Sequence, residues 1–348
     1  MTSPRISIII LNWNGWKDTV ECLESLYQVT YPNYDVVVID NGSEDDSIKK
    51  IKEYCKGKLK VNSRFFEYNP RNKPIKVFEI DERESKLGKF NRPLYEKYDP
   101  NRRLILIKNR GNYGFTGGNN TGMKFVLSVL NPDFVLLLNN DIVTDPNFLS
   151  ELIKAVETDI KTGIAGPKIY YYDSNGRTNI INFTGADLIP WKGSEKRYGV
   201  DEEDNGQWDK TMSVDKIEGS CMLIRKDVIE RVGFFDESFF CYWEETDLCI
   251  RAKKEGYKLI YVPNAKIWHK IAVSSMGMLS PFYIYHITRN KFFFLRKNYP
   301  GMLRAHLFYF LLWEFWFNLG RLLMYRRNLN AFHSYLKGVL SGLFQREY

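Results

Sequence analysis

The sequence predicts an α/β fold in which a central β-sheet is flanked by helices. Short apolar runs, rich in β-branched residues and leucine, recur along the first 140 residues, and segments with helical periodicity lie between them. Polar side chains follow the end of each apolar run. The chain has 348 residues and an apolar fraction of 44%, which is sufficient for a substantial hydrophobic core.

The apolar runs are nearly uninterrupted, as is typical of strands that are buried on both faces of a covered sheet. A helical pattern over residues 16–27 separates the first two runs, and Ser43 and Asp46 predict the start of a second helix. This alternation predicts βαβ units. The predicted strands are residues 6–11, 36–40, 104–108 and 134–139.

Two further segments complete the sequence-based organisation. Residues 58–103 are charged and contain proline and asparagine, which predicts an insertion on the surface. A helix is predicted over about 145–158, and the Gly- and Tyr-rich middle, residues 163–219, has weak periodicity.

The bulk composition limits the environment and the partners. A formal net charge of +8 suits a phosphate-bearing ligand, nucleic acid or an anionic membrane surface, and does not choose among them. The five cysteines form no CxxC pair and cannot all pair, which favours a reducing compartment. The apolar stretch 6–11 is too short for the core of a signal peptide. We therefore expect a cytoplasmic protein with buried, unpaired cysteines.

Polar residues stand where the four predicted strands end, and ligands of open α/β sheets bind at that edge. Asn12 and Asn14 follow the first strand, and Asp40 ends the second. Asp40 suits either a nucleobase or ribose contact or a helix-capping turn. The Gly- and Asn-rich segment 111–122, which contains Asn112, Gly114 and Asn120, is expected to bring backbone close to a ligand and to open a helix over 123–130.

Three sets of titratable residues are candidates for chemistry. Asp141 follows a buried strand, where a carboxylate suits Mg²⁺ or Mn²⁺ and a helix N-cap is the alternative. Glu244, Glu245 and Asp247 crowd an aromatic stretch, and neighbouring carboxylates raise one another's pKa, which suits a general base. Asp247 also suits the N-cap of a helix. His269 suits either a core position or a metal site.

Taken together, these residues resemble the family 2 glycosyltransferases of GT-A type, particularly the rhamnosyltransferase-like and galactofuranosyltransferase-like subgroup. The resemblance covers residues 6–269. Its motifs in this chain, in the family's order, are SIIILNWNG, VVVIDNGSEDDS, NRGNYGFTGGNNTG, LLLNND and EGSCMLIRKDVIERVGFFDESFFCYWEETDLCIRAKKEGY. The resemblance implies a GT-A fold with a Rossmann-like central mixed β-sheet and a helical C-terminal extension.

The resemblance also implies roles for individual residues. Asp40 and the backbone near Asn12 would hold the nucleoside, and Asn120 would lie by the diphosphate. The segment 139–141 stands at the family's DxD-like element, which often has carboxylates at both ends, whereas this chain keeps only the last. The expected nucleotide-sugar contacts are Asn12, Asn14, Asp40, Asn112, Gly114, Asn120 and Asn140.

Asp141 would bind Mn²⁺ or Mg²⁺, and Glu245 would be the base, with Glu244 and Asp247 as the other catalytic candidates. In the galactofuranosyl branch a histidine at about the distance of His269 from Glu245 completes the metal site. The resemblance implies an inverting transfer from a nucleotide diphosphate sugar, either dTDP-rhamnose or a UDP-sugar, to a saccharide or polyprenyl-linked acceptor. The alternatives are a non-catalytic nucleotide-sugar-binding scaffold and a sugar nucleotidyltransferase. A nucleic-acid partner is not expected.

On this basis the chain divides into a catalytic domain, 1–275, and an aromatic, amphipathic helical region, 276–348. Within the first, residues 1–141 would bind the donor and 142–275 the acceptor.

In residues 305–324, His306, Glu314, Asn318 and Arg321 fall on one arc of a helix, which predicts an amphipathic helix in the membrane interface. Arg304, Arg326 and Arg327 flank it and indicate the cytoplasmic face. The alternative is a helix packed on the catalytic domain or on a second copy, as a homodimer.

Overall fold

The computed structural model describes residues 3–270, 280–325 and 328–344. A mixed sheet forms its centre, and helices cover both faces. The strands are β1 (Ile6–Asn12), β2 (Tyr34–Asp40), β3 (Lys76–Asp81), β4 (Arg103–Lys108), β5 (Phe134–Asn139), β6 (Ile142–Thr144), β7 (Thr162–Tyr171), β8 (Ile181–Phe183), β9 (Ala186–Ile189), β10 (Ser194–Arg197), β11 (Met212–Ser213), β12 (Cys221–Arg225) and β13 (Lys258–His269).

The α-helices lie between these strands and at the C-terminal end, with short 3₁₀ and π segments between some of them. They are α1 (Trp16–Leu26), α2 (Ser47–Cys55), α3 (Glu82–Lys86), α4 (Arg92–Tyr95), α5 (Gly114–Phe125), α6 (Phe148–Glu157), α7 (Lys226–Val232), α8 (Glu244–Lys254), α9 (Pro281–Asn298), α10 (Leu303–Tyr309), α11 (Phe315–Gly320) and α12 (Leu329–Phe344).

The sheet has the order β11-β13-β7-β12-β5-β1-β2-β4-β3, so the four strands predicted from the sequence form its parallel centre. Nearly all their side chains are buried, as their uninterrupted apolar sequences predict. β12 pairs antiparallel with β5 and β7, which makes the sheet mixed. The predicted mixed α/β fold is confirmed, and the carboxyl ends of β1, β2, β4 and β5 share one edge.

The segment 58–103 contributes an element that the sequence did not predict. β3 extends the sheet by pairing in parallel with β4, and Tyr95 is fully buried behind it, where its hydroxyl donates to Asp35 Oδ1 at 3.0 Å. β3 is an edge strand, and all but one of its side chains are exposed or half-exposed. Its sequence, KVFEID, mixes charged and apolar residues without a regular period, so it lacks the apolar run that identified the central strands.

The glycine-rich segment 111–122 corrects a second expectation, because α5 begins at Gly114 and not at Met123. A Cβ atom on Gly118 would lie 2.4 Å from Leu11, and one on Gly122 would lie 2.7 Å from Ile9. The glycines thus let α5 pack directly on β1, and this packing outweighs their low helix propensity.

The C-terminal helices form a separate core, in which α12 packs along α9. α10, the π-helical segment Phe310–Glu314 and α11 follow one another without a break. The domain boundary predicted at 275/276 lies outside the described residues, as do Arg326 and Arg327. In the part of the chain that is described, no helix combines the length and the apolarity that crossing a membrane requires.

The polar arc predicted for residues 305–324 faces the protein at three of its four residues. His306 is fully buried against the rings of Phe292 and Phe310, Glu314 forms an ion pair with the buried Lys291, and Asn318 is half-buried. Only Arg321 is exposed. The polar arc therefore packs on the protein, where Glu314 pairs with Lys291 of α9, and the contact of this helix with a membrane stays a prediction. The side chains that face outward are apolar, with Phe308, Leu311, Leu312, Trp313, Trp316 and Phe317 each at least 60% exposed.

Candidate active site

Strand register brings Asp141 and His269 together. β13 runs antiparallel to β6 and places His269 opposite Ile142, one residue after Asp141. His269 Nε2 lies 3.2 Å from Asp141 Oδ1, and both side chains are largely buried. Burial lowers the pKa of His269, but the Asp141 carboxylate raises it more, so the pKa lies above its usual 6.5. The two residues predicted to bind metal thus form one pair 128 positions apart in sequence.

This pair suits two ligands of one divalent ion. An ion with ligands at about 2.1 Å and right angles would hold two ligand atoms about 3.0 Å apart. His269 Nδ1 is buried and has no hydrogen-bond partner in the described part of the chain. Among the described residues no cluster of three or more Asp, Glu, His or Cys side chains could hold a metal. The remaining ligands would therefore come from water and from a substrate phosphate, as is usual for Mg²⁺.

The ends of β1 and β2 carry a buried hydrogen-bond network. Asn12 Nδ2 donates to Asp40 Oδ2 at 2.9 Å, and Thr19 Oγ1 donates to Asn12 Oδ1 at 2.7 Å. Asp40 Oδ1 accepts the backbone N–H of Ser43 at 3.1 Å. The structure therefore gives Asp40 the turn role that the sequence left open, and its nucleoside contact remains a prediction.

Two other predicted asparagines join loops at the same edge. Asn14, with a left-handed φ of 51°, accepts backbone N–H groups of Glu44 and Asp45 through its side-chain oxygen. Asn140 Nδ2 donates to Gly15 O and Thr19 Oγ1. Both residues lie at the predicted edge, where they connect the loop after β1 to the loops after β2 and β5.

Asn41 connects the ends of β2 and β4 through four hydrogen bonds, and it was missing from the predicted site residues. Its Nδ2 donates to Asn112 Oδ1 and Gly114 O, and its Oδ1 accepts from Asn109 Nδ2 and the N–H of Tyr113. Asn112 Oδ1 also accepts the N–H of Gly114 at 2.8 Å. The position of Asn41 directly after Asp40, at a strand end, was the signal that could have identified it.

Asn120 and Gly114 have roles within the protein. Asn120 is buried, donates to Phe235 O and Glu237 Oε1, and accepts the N–H of Phe235. Both N–H groups and the oxygen of its side-chain amide are hydrogen-bonded within the protein, so the structure does not support its predicted contact with the diphosphate. Gly114 has φ +70°, and a Cβ atom there would lie 2.5 Å from Phe240 O. Only glycine allows this approach of α5 to the loop before α8.

The three clustered carboxylates begin α8, where their environments differ. Glu244 and Asp247 are buried, while Glu245 is partly exposed. Asp247 accepts from Arg251, Lys297 and Asn298 at 2.7–3.1 Å. The helix begins at Glu244, so Asp247 is not its N-cap, and its saturated carboxylate makes it unsuitable as a base. Burial, and then the Glu245 carboxylate, raises the pKa of Glu244 well above its usual 4.5.

The residues directly before Glu244 form a strained loop, residues 239–243, which we call the base loop. Phe240, Tyr242 and Trp243 have φ values of 63°, 67° and 77°. Left-handed conformations of non-glycine residues cost on the order of 1–3 kcal/mol each and persist only where surrounding contacts impose them. The base loop is therefore held in place by its neighbours.

Lys216 pairs with the partly exposed carboxylate of the cluster, in the segment that leads to β12. Its ammonium lies 3.1 Å from Glu245 Oε1 and 2.8 Å from Glu195 Oε2. Four residues later, Ser220 O accepts the N–H of Asn139 at 2.8 Å, just before Asp141. Lys216 is one of five lysines in the weakly periodic middle of the chain, residues 163–219, and no sequence motif distinguishes it from the others.

With this geometry established, comparisons with known proteins decide the family. Residues 83–298 match the family described as "Glycosyltransferase like family 2", and residues 7–87 match "Glycosyl transferase family 2". The chain belongs to glycosyltransferase family 2. The family predicted from the sequence motifs is thus confirmed.

Curated relatives of this family 2 chain are distant and somewhat longer than the matched region. The "Low-salt glycan biosynthesis hexosyltransferase Agl10" of Haloferax volcanii is 29% identical over 54% of this chain and 59% of its own. The "N-acetylglucosaminyl-diphospho-decaprenol L-rhamnosyltransferase" of Mycobacterium tuberculosis is 26% identical over 50% and 59%. The match spans about 59% of the length of both relatives. The "dTDP-rhamnosyl transferase RfbF" of Shigella flexneri is 25% identical over 68% and 80%.

Solved structures support the GT-A fold of this family member. The mannosyltransferase PcManGT of Pyrobaculum calidifontis, in complex with GDP-Man and Mn²⁺, has a TM-score of 0.54 at 12% identity and covers 100% of this chain and 89% of its own. S. aureus TarS 1–349 has a TM-score of 0.51 at 13% identity, with 96% and 81% covered. At these identities the likeness concerns the fold, which is the predicted one.

Proposed function

We propose that this protein is an inverting, metal-dependent glycosyltransferase that moves a sugar from a nucleotide diphosphate donor to a hydroxyl of a saccharide or lipid-linked saccharide. The observation that carries this proposal is the side chain of Glu245. Of the three carboxylates at the start of α8, Glu245 is the one whose side chain is partly exposed, at 13%. Its Oε2 is itself buried and has no hydrogen-bond partner among the described residues, so it is an acceptor atom that a bound hydroxyl can satisfy.

In this mechanism Glu245 accepts the proton of the acceptor hydroxyl while the acceptor oxygen attacks the anomeric carbon. The bond to the nucleoside diphosphate breaks on the opposite face, so the configuration inverts. Lys216 holds Glu245 Oε1 at 3.1 Å and leaves Oε2 for the proton. Asp247 and Glu244 do not share this role, because the first is saturated by three partners and the second is buried with a raised pKa.

Asp141 and His269 would hold a divalent cation, Mn²⁺ or Mg²⁺, which supplies positive charge to the departing diphosphate. Their 3.2 Å separation fits two ligands of one ion. His269 must be neutral to bind a metal ion through Nε2. In the absence of metal, burial lowers the pKa of His269, but the Asp141 carboxylate stabilises the protonated imidazolium more strongly and raises it above its usual value. The proposed metal affinity therefore increases with pH.

The donor side of the proposal rests on the edge formed by β1, β2, β4 and β5, where Asn12, Asn14, Asp40, Asn112 and Asn140 lie near one another. The names of the relatives favour dTDP-rhamnose as the donor and a polyprenyl diphosphate-linked saccharide as the acceptor. A UDP-sugar is the alternative donor that the family resemblance implies. The product would be a cell-surface glycan or its lipid-linked precursor.

The direct test is release of nucleotide diphosphate from dTDP-rhamnose and a panel of UDP- and GDP-sugars, with and without Mn²⁺ and with a membrane lipid extract as acceptor. We expect metal-dependent release from one donor, and a product whose anomeric configuration, determined by NMR, is opposite to that of the donor. Absence of binding or turnover with every donor, or retention of configuration, would contradict the proposal.

We further propose that α10, α11 and the π-helical segment between them lie on the cytoplasmic face of a membrane with anionic lipids. Of the eighteen large apolar side chains that are exposed among the described residues, six fall within the ten residues 308–317, which we call the apolar band. The sequence of residues 299–344 contains five Lys and Arg residues, two of which lie outside the described part of the chain, and one acidic residue, Glu314, which is paired with Lys291. Apolar and aromatic side chains with surrounding cations suit an anionic bilayer.

Vesicle sedimentation tests this contact. The double variant Leu312→Ser/Trp313→Ser should bind phosphatidylglycerol-containing vesicles at least about tenfold more weakly than the wild type, because each side chain loses burial in the interface. Ile160→Ser, which alters an apolar side chain that is 74% exposed elsewhere, is the matched control. Unchanged vesicle binding of the double variant would overturn the proposal, as would a wild-type homodimer that binds no vesicles and that the double variant dissociates.

A further inference from the structure

The side chain of Asn290, on α9, lies against the base loop. Asn290 is fully buried, and its Nδ2 lies 2.8 Å from the carbonyl oxygens of Phe239 and Cys241 and 2.9 Å from that of Tyr242. One amide group thus donates to three of the five backbone carbonyls in the loop. Since Nδ2 has two hydrogens, one of them is shared between two carbonyls.

Further contacts hold the loop from α9 and from the opposite side. Trp243 Nε1 donates to Ile287 O at 3.2 Å, and Arg289 donates at 2.9 Å to the carbonyl oxygen of Ser238, the residue just before the loop. From the donor-side helix α5, the N–H of Thr116 donates to Phe240 O at 3.1 Å. The loop therefore lies between α9 and α5, and Asn290 is its most connected side-chain partner.

The base loop leads directly into Glu244 and Glu245, so its conformation fixes where α8 begins. Three of its residues adopt left-handed conformations that they would leave if the carbonyls lost their donors. A changed loop would rotate or shift the first turn of α8, and with it Glu245. Proton transfer depends steeply on such shifts, because the base must lie within hydrogen-bond distance of the acceptor hydroxyl.

We propose that Asn290 is a positioning residue that, through the carbonyls of the base loop, orients Glu245 toward the acceptor hydroxyl. This inference rests on the proposed function, since it takes Glu245 as the base. It assigns a part in the reaction to α9, which follows the sequence motifs in residues 6–269 but lies within the residues 83–298 that match the family.

The test compares Asn290→Ala with Asn298→Ala in the full-length protein, using the donor and acceptor that the wild type turns over. Asn298 is the matched control, because it is a buried asparagine on the same helix whose Nδ2 donates to Asp247 instead of to the base loop. We expect Asn290→Ala to lower kcat by about 10- to 100-fold and to change the donor KM by less than about twofold. Asn298→Ala should keep kcat within about threefold of the wild type.

A double-mutant cycle with Glu245→Gln separates positioning from general destabilisation. If Asn290 acts through Glu245, Asn290→Ala should reduce the residual activity of Glu245→Gln by less than about threefold, since residues that act as a unit are not additive. Additive losses would overturn the inference, as would equal losses in the Asn290 and Asn298 variants. Near-normal activity of Glu245→Gln would instead contradict the proposed base.

Asn290→Ser provides a second variant in case the alanine variant does not fold, because its hydroxyl keeps one donor. We expect a smaller loss of kcat than with alanine and a melting temperature close to that of the wild type. Failure of both variants to fold would assign Asn290 to stability and overturn the inference.

Discussion

The ends of β1 and β2 differ from the region of Asp141, His269 and the carboxylates at the start of α8 in how their polar atoms are hydrogen-bonded. Asn12 and Asp40 bind each other and the neighbouring loops. Glu244 Oε2, Glu245 Oε2 and His269 Nδ1 are buried without hydrogen-bond partners among the described residues. The polar side chains of Asn12 and Asp40 therefore have hydrogen-bond partners within the protein, whereas the second region has buried polar atoms that a ligand could bind.

Buried polar atoms without a partner carry a desolvation penalty and are uncommon in native proteins. Where they cluster with titratable groups, function is the usual reason. We therefore read the β1–β2 end as a rigid support for the donor side, and the region of Asp141, His269 and Glu245 as the place where chemistry occurs. Substitutions in the two regions should accordingly affect different quantities.

The largest effect is expected at Asp141. Asp141→Asn should lower kcat/KM by about 10²- to 10³-fold, because the proposed metal loses its charged ligand and the departing diphosphate loses compensation. Removal of metal with EDTA should cause a similar loss in the wild type and little further loss in the variant. Asp145→Asn, at the next turn of the chain, is the control and should remain metal-dependent. Full metal-stimulated activity in Asp141→Asn would contradict the assignment.

A smaller effect, on stability, is expected at Asn41. Asn41→Ala removes four hydrogen bonds at a buried site and should lower the free energy of unfolding in urea by about 2–3 kcal/mol. Asn14 is more exposed, so Asn14→Ala should lower the free energy of unfolding by only about 1 kcal/mol. The comparison of the two regions would fail if Asn41→Ala unfolded like the wild type but no longer bound the donor.

The smallest effect is expected from Glu244, and it depends on pH. Because the pKa of Glu244 is raised in the folded protein, the folded state keeps a proton that the unfolded chain releases above about pH 4.5. Stability from this proton is present at low pH and is lost by about 1.4 kcal/mol per pH unit as pH rises from 4.5 toward the raised pKa.

Glu244→Gln removes this dependence, so it should increase the melting temperature relative to the wild type at pH 8 more than at pH 4. Thermal unfolding across this range measures the difference. An identical pH dependence in the wild type and the variant would show that Glu244 is not held protonated.

The sequence predicted the parallel centre of the sheet well, because the apolar runs at β1, β2, β4 and β5 admit few alternatives. It did not predict β3, whose polar edge sequence has no distinctive period, or the helical state of the glycine-rich segment 114–122, which depends on packing against β1. Single-chain patterns carry no information about such tertiary contacts.

In the candidate site, too, some features could be predicted from the sequence and others depend on tertiary contacts. The pairing of Asp141 with His269 was implied by the family resemblance, and strand register brings the two together. The roles of Asn120 and Asp247 depend on partners 115 and 50 or more residues away, which the sequence could not supply. For the same reason the polar arc at 305–324 predicted the period of the helix but not the residues of α9 against which that arc packs.

The central claim is that Glu245, and not its neighbour Glu244, is the catalytic base. The most direct measurement is the single-turnover rate of Glu245→Gln and Glu244→Gln with saturating donor and metal, together with the donor dissociation constant of each. We predict that Glu245→Gln lowers the rate by at least about 10²-fold with an unchanged donor affinity, while Glu244→Gln stays within about threefold of the wild type. A Glu245→Gln variant that reacts at the wild-type rate would contradict the account.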